Sequence, residues 1–174
     1  MRLKEGLVHV YTGNGKGKTT CAFGLAMRAK GYGLDVCVVQ FMKAKPDNSA
    51  KSASSIGIDV YQFGLDGFTS KGNLRKGDMT KAKDGLDFVK ESIDEKRYDL
   101  IVLDEINVAL DFGLLNVNDV LHVVIGRPKG LEMVLTGRNA PQDILDIADY
   151  VTEMCEKKHP FKTAGKHVRE GIEY

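Results

Sequence analysis

Gly13, Gly15 and Gly17 alternate with Asn14, Lys16 and Lys18 in the stretch Thr12-Gly13-Asn14-Gly15-Lys16-Gly17-Lys18-Thr19-Thr20. Glycine at every second position removes the Cβ atoms that would keep the chain from turning tightly, so backbone N–H groups of 13–19 can converge on an anion. Lys18 supplies a point charge for the outer phosphates of a nucleotide, and the Thr19 hydroxyl is placed to ligate Mg²⁺. The usual pattern G-x-x-x-x-G-K-[ST] is varied in one place: Thr12 stands where its first glycine belongs, and Lys16 is an added cation. A second chemical signal is Tyr98-Asp99-Leu100-Ile101-Val102-Leu103-Asp104-Glu105, an apolar run that ends in two carboxylates. Asp104 or Glu105 can hold the same Mg²⁺ directly or through water. Taken alone the pair would read as a cap of the following helix, but beside the glycine-rich loop the metal role is the preferred reading. Arg138 lies just past another apolar run and can reach a polyphosphate or form a structural ion pair.

The elements that must carry these residues can be read from pattern. Leu7 to Tyr11 is apolar and precedes the glycine-rich loop. After the loop, Cys21, Leu25 and Ala29 recur at helical spacing before Gly31 and Gly33. Val36-Cys37-Val38-Val39-Gln40-Phe41 and the run ending at Asp104 are continuous rather than alternating, which indicates a parallel sheet covered on both faces. Ile58 to Phe63 alternates, Leu131 to Thr136 is a further strand, and Tyr150 to Cys155 is the last. Helices are predicted over 79–97 (apolar stripe Met79, Ala82, Leu86, Val89, Ile93), 118–125 and 142–148. Lys, Ser, Ala, Asn and Pro46 dominate 42–55, which reads as a mobile loop, and the glycine-rich 64–77 reads as a long loop that is either functional or a mobile, disordered surface segment. Together these predict one α/β domain over 1–174, a three-layer P-loop NTPase (RecA-like) unit with a mostly parallel sheet. The strand order is not specified, and the tail from His159 shows no clear period.

Composition narrows the partners. The 25 Lys and Arg nearly cancel 24 Asp and Glu, so no global field favours nucleic acid or an anionic membrane surface. Basic and acidic residues also mix at helical spacing between Lys71 and Arg97, which marks a solvated face. No apolar window is long enough to span a bilayer, and no signal-peptide core opens the chain, so a cytoplasmic protein is expected. Cys21, Cys37 and Cys155 form no C-x-x-C pair and read as small core residues. His9 and His122 fall within regular elements and read as structural, while His159 and His167 stay open; no Ser-His-Asp or Cys-His set is discernible.

Four stretches carry a family resemblance: Gly13 to Thr20, Val102-Leu103-Asp104-Glu105, Leu135-Thr136-Gly137-Arg138, and the ending Lys158-His159-Pro160-Phe161 through Ala164-Gly165 to Gly171-Ile172-Glu173-Tyr174. In this order, over nearly the whole chain, they closely resemble the ATP:corrinoid adenosyltransferases of the bacterial cobalamin pathway. The resemblance implies transfer of the 5′-deoxyadenosyl group of ATP to cobalt(I) of cob(I)alamin or a corrinoid precursor, with triphosphate released. It implies ATP lying reversed across the loop, so that the 5′ carbon faces the nucleophile. Gly13, Asn14, Gly15, Lys16, Gly17, Lys18, Thr19, Thr20 and Arg138 would then hold the nucleotide, with Lys16 and Lys18 compensating charge on the leaving triphosphate. Thr19 with Asp104 or Glu105 would hold Mg²⁺, or Mn²⁺ in its place. A reducing flavoprotein and a homodimer are the implied partners. Members usually carry a basic N-terminal extension, where here about six residues precede the first strand. They also tend to read Gly-x-Gly-Phe-Thr-Trp where this chain has Leu65-Asp66-Gly67-Phe68-Thr69-Ser70, so Phe68 would line the corrinoid's lower face with Ser70 in place of a tryptophan. The competing expectations are a small-molecule kinase or NTPase with the same loop, such as a thymidine-kinase-like protein lacking its paired zinc cysteines, and a non-catalytic nucleotide-sensing module.

Overall fold

The computed structural model describes residues 3–67, 69–160 and 169–172. Six strands form one sheet: β1 (Val8–Thr12), β2 (Val36–Phe41), β3 (Asp59–Phe63), β4 (Leu100–Asp104), β5 (Glu132–Thr136) and β6 (Tyr150–Glu153), in the order β3-β2-β4-β5-β1-β6. Every pairing is parallel. The helices are α1 (Lys18–Tyr32), α2 (Asn48–Ser55), α3 (Lys76–Asp94), α4 (Ile106–Asp111), α5 (Val117–Ile125) and α6 (Gln142–Asp146).

The position of each strand follows from its side chains. β2 and β4 are buried at every residue, as their unbroken apolar runs require of strands inside a sheet covered on both sides. Alternating β3 and the exposed β6 take the two edges. Period-two geometry then sorts the core into two layers. Val36, Val38, Leu100, Val102 and Val134 pack under α1 and α2, whereas Cys37, Val39, Ile101, Leu103 and Met133 pack under α3, α4 and α5. The three-layer α/β architecture is therefore as expected.

Several local expectations are corrected. The 42–55 segment contains α2, capped by Asp47, whose carboxylate accepts from Ala50 N–H at 2.9 Å. Its buried face is only Ala50 and Ala53, too small to register as an apolar stripe. The long helix runs three residues earlier at both ends than predicted, Lys76–Asp94, because the Asp78 side chain receives the Arg75 N–H and closes a capping box; Met79 is left half exposed. On α1 the buried apolar residues are Ala22, Phe23, Ala26 and Ala29, which turns Cys21 outward. Cys155 is exposed as well, so only Cys37 is a core cysteine. No helix among the described residues is long and apolar enough to cross a membrane. His167 and Phe68 lie outside the described residues, as does most of the tail.

Candidate functional site

In a parallel sheet all C-terminal strand ends open on one side, and there the chain delivers β1 into the glycine-rich loop, β2 into Lys43, β4 into Asp104 and Glu105, and β5 into Gly137 and Arg138. A cleft of about 1280 Å³ lies over these ends. Asn14 to Thr20 line it without a break, joined by Glu105 and Arg138.

The glycines of the loop are required by contact and by conformation. A Cβ on Gly13 or on Gly15 would come to 2.6 Å from the Met154 carbonyl oxygen just beyond β6, and Gly13 and Gly17 have φ of 89° and 120°. Gly15 donates its N–H to that same carbonyl at 2.5 Å, so this residue anchors the loop to the sheet edge. Thr12, in place of the pattern's first glycine, ends β1 and accepts from Ala140 N–H at 3.3 Å, tying the loop base to the turn after β5. Lys18 is buried at 8% exposure, and its Nζ donates to the carbonyls of Gly13 at 2.7 Å and Gly15 at 2.8 Å. Burial and the nearby Arg138 charge push its pKa down, and Glu105 partly offsets them. α1 follows the cap residue Gly17, with no side-chain cap and no acidic residue in its first turn, so its N-terminal N–H groups and dipole are left for an anion. Lys16 and Arg138 are exposed on the cleft wall.

The two carboxylates have different settings. Asp104 is fully buried and has both oxygens engaged. Its Oδ1 accepts from the Thr19 and Thr136 hydroxyls, each at 2.8 Å; its Oδ2 accepts from Gln40 Nε2 at 3.1 Å and Lys43 Nζ at 3.4 Å. Glu105 sits at φ 63°, in the left-handed region, and starts α4 without a side-chain capping bond. Its carboxyl lines the cleft, and its N–H donates to Thr136 Oγ1 at 3.0 Å. Burial first, and then the charge of Asp104, raise its pKa, while Lys43, Lys18 and Arg138 act against them. The helix-cap alternative is thus not what this side chain does.

Lys43 was not singled out by sequence reasoning, although it lies two residues past the end of a buried parallel strand, the signal that identified Asp104. Its Nζ also donates to Asp47 at 2.9 Å, and this contact and Asp104 together hold its pKa above the ordinary lysine value despite burial. Thr136 and Gln40 were missed too. Asn107, in the first turn of α4, is buried with neither side-chain amide atom partnered among the described residues. His159 lines the cleft; His9 lies within the sheet, its Nε2 2.6 Å from Glu132 Oε1, and is structural.

An uncapped helix start, an oxygen-only donor pair in Thr19 and Glu105, and three lysines and an arginine around one cleft suit a polyphosphate with a hard divalent cation. A family described as ATP:corrinoid adenosyltransferase BtuR/CobO/CobP matches residues 4–174. A corrinoid adenosyltransferase of Sinorhizobium is 37% identical over 98% of this chain and 81% of its own. The corrinoid adenosyltransferase CobA of Salmonella typhimurium is 36% identical over 98% and 87%, and the Pseudomonas aeruginosa corrinoid adenosyltransferase 35% over 99% and 86%. In fold, the crystal structure of a KaiC-like protein from Pyrococcus horikoshii superposes with a TM-score of 0.56 at 16% identity, covering 87% of this chain and 72% of that one. With the match extending from residue 4 to the last residue, the chain belongs to the ATP:corrinoid adenosyltransferase family.

Proposed function

We propose that this enzyme transfers the 5′-deoxyadenosyl group of ATP to cobalt(I) of a corrinoid, and that the cleft over the strand ends is where it does so. The observation that carries the reading is family membership over residues 4–174 combined with a loop whose Lys18 and uncapped helix start leave a pocket for polyphosphate. The cobalt(I) electron pair attacks C5′, the C5′–O bond breaks, and its electrons leave with the triphosphate. Charge therefore accumulates on the leaving group and not on the nucleophile.

The protein's part is placed accordingly. Lys18, Lys16 and the first N–H groups of α1 face the leaving triphosphate, and preorganised donors of this kind usually dominate such transfers. Arg138 closes the opposite wall. Thr19 and Glu105 would hold Mg²⁺ or Mn²⁺, with Asp104 orienting the Thr19 hydroxyl from behind. A cation held there would supply positive charge against the leaving group. A strong metal-centred nucleophile needs no deprotonation, so alignment is the remaining task. Cobalt(II) must first receive an electron, for which a reducing flavoprotein is the proposed donor; a cytoplasmic homodimer is the proposed form.

The test is anaerobic mixing of the protein with reduced cobalamin and Mg-ATP. The expected result is the absorption spectrum of an alkylated corrinoid and, by ³¹P NMR, inorganic triphosphate stoichiometric with it. Stoichiometric ADP would move the protein to the kinases, and unchanged ATP would leave a nucleotide sensor.

A further inference from the structure

One carboxylate at the cleft mouth has no place in the chemistry above. Asp111, the last residue of α4, accepts from Lys71 Nζ at 2.8 Å on Oδ1 and from Asn139 Nδ2 at 3.1 Å on Oδ2. The two donors come from separate segments. Lys71 sits at the tip of a tight turn in which Asn73 N–H donates to Ser70 carbonyl at 2.9 Å. Asn139 directly follows Arg138 and holds φ 54°, a conformation asparagine tolerates better than most residues. Gly67 and Thr69 of the first segment and Arg138 and Asn139 of the second all line the cleft.

The rest of the 64–77 loop is braced from within by Arg75, which donates to the Asp66 carbonyl at 2.7 Å, to Asp78 Oδ1 at 2.8 Å and to Thr69 Oγ1 at 3.3 Å. Its other outward ion pair, Lys45 with Asp66 at 3.2 Å, has both side chains more than two-thirds exposed, so solvent screening leaves it weak. The Lys71 side chain is 65% exposed, but the Asp111 side chain is only 20% exposed and has a second donor, which makes the Lys71 contact the better fastening of the two. Glu105, at the N-cap of α4, is separated from Asp111 at its C-terminal end by about 9 Å of helix rise, with Val108 and Phe112 lining the cleft alongside.

We propose that Asp111 is a positioning residue that fastens the 64–77 loop and the Arg138 turn as the wall against which the corrinoid docks, and so sets the affinity for that substrate and not for ATP. The substrate named here rests on the adenosyl-transfer reading; the fastening does not.

Asp111→Asn and Lys71→Met should each raise the KM for cobalamin about five-fold, the scale of one partly exposed ion pair with a charged hydrogen bond, and leave the KM for ATP in place. The swapped pair Lys71→Asp with Asp111→Lys should recover most of the loss. In the wild type the cobalamin KM should also rise with salt, and in Asp111→Asn it should not. Amide hydrogen exchange of the same proteins gives a readout independent of turnover: residues 66–75 and 138–139 should exchange faster in Asp111→Asn, slower again in the swap, with α3 unaffected. Unchanged exchange in 66–75 overturns the fastening whether or not the protein adenosylates corrinoids. Faster exchange with an unchanged cobalamin KM overturns the role in substrate affinity. A parallel rise of both KM values with a lower Tm and no recovery in the swap reduces Asp111 to an ordinary structural contact and overturns the proposal.

Discussion

Asp104 offers a perturbation whose cost can be worked from its contacts. Asp104→Ala leaves the Thr19 and Thr136 hydroxyls and the Gln40 amide without their acceptor and removes one of the two carboxylates that hold Lys43. Removing one partner of a buried charged network costs about 3–5 kcal/mol. Asp104→Asn keeps one carbonyl oxygen for the two hydroxyls and presents an NH₂ group to Gln40 and Lys43. Gln40 can turn its amide to accept, because its own Oε1 is held only by Gln62 Nε2 at 3.1 Å, and Lys43 retains Asp47. The asparagine variant should therefore lose about 1–3 kcal/mol, the cost of one poorly matched buried group. At roughly 3 °C per kcal/mol for a chain of this size, the expected drops in Tm are about 6 °C for asparagine and about 12 °C for alanine. Differential scanning calorimetry reads both, and anaerobic adenosylation at 20 °C reads the function, which should fall at least 100-fold in each because Thr19 loses its orienting anion. Two variants that melt within about 2 °C of the wild type would mean that the buried network does not hold these strand ends together.

Lys18→Ala should slow adenosyl transfer about 100- to 1000-fold, measured by the appearance of the alkylated corrinoid, and near-normal turnover would remove Lys18 from the site. Glu105 has a raised pKa in the folded protein, so the folded state binds the extra proton and stability falls as pH rises from the ordinary glutamate value of 4.5 through the raised one. Without metal, Glu105→Gln should abolish that decline and melt higher than the wild type at neutral pH, while losing Mg²⁺-dependent turnover; an unchanged pH–Tm profile would contradict the assignment. Phe68→Ala should lower the four-coordinate cobalt(II) fraction seen by electron paramagnetic resonance with Mg-ATP, and Ser70→Trp should raise it. No change in either would place the lower-face wall elsewhere.

What could be read in advance was local. Alternating glycines, an apolar run closing on Asp104 and Glu105, and strands buried on both faces all report themselves within a few residues. Thr136 and Gln40 could not be found in this way. They meet Asp104 because β5 enters the sheet on one side of β4 and β2 flanks it on the other, a strand order that no single stretch encodes. α2 escaped because its buried face is two alanines among serines, and α1 was misphased because Phe23 and three alanines, not Cys21, form its apolar side. Lys43 was within reach, since it obeys the same strand-end rule as Asp104.

The position of β5 also accounts for the different settings of the two adjacent carboxylates. Thr136, at the end of β5, donates its hydroxyl to Asp104 and accepts the N–H of Glu105. That pair of bonds holds the chain at the point where Glu105 takes its left-handed conformation, and consecutive carboxylates are thereby sent in different directions. Asp104 turns inward to Thr19, Gln40 and Lys43, where its charge is matched and its oxygens are occupied. Glu105 turns to the cleft with its charge poorly matched, which is why burial and Asp104 raise its pKa. A carboxylate already satisfied by four donors gains little from a cation, whereas one held above its ordinary pKa gains the most. The metal ligand of the pair is therefore Glu105 in our reading, and Asp104 is the fixed anion that aims the Thr19 hydroxyl at the same cation.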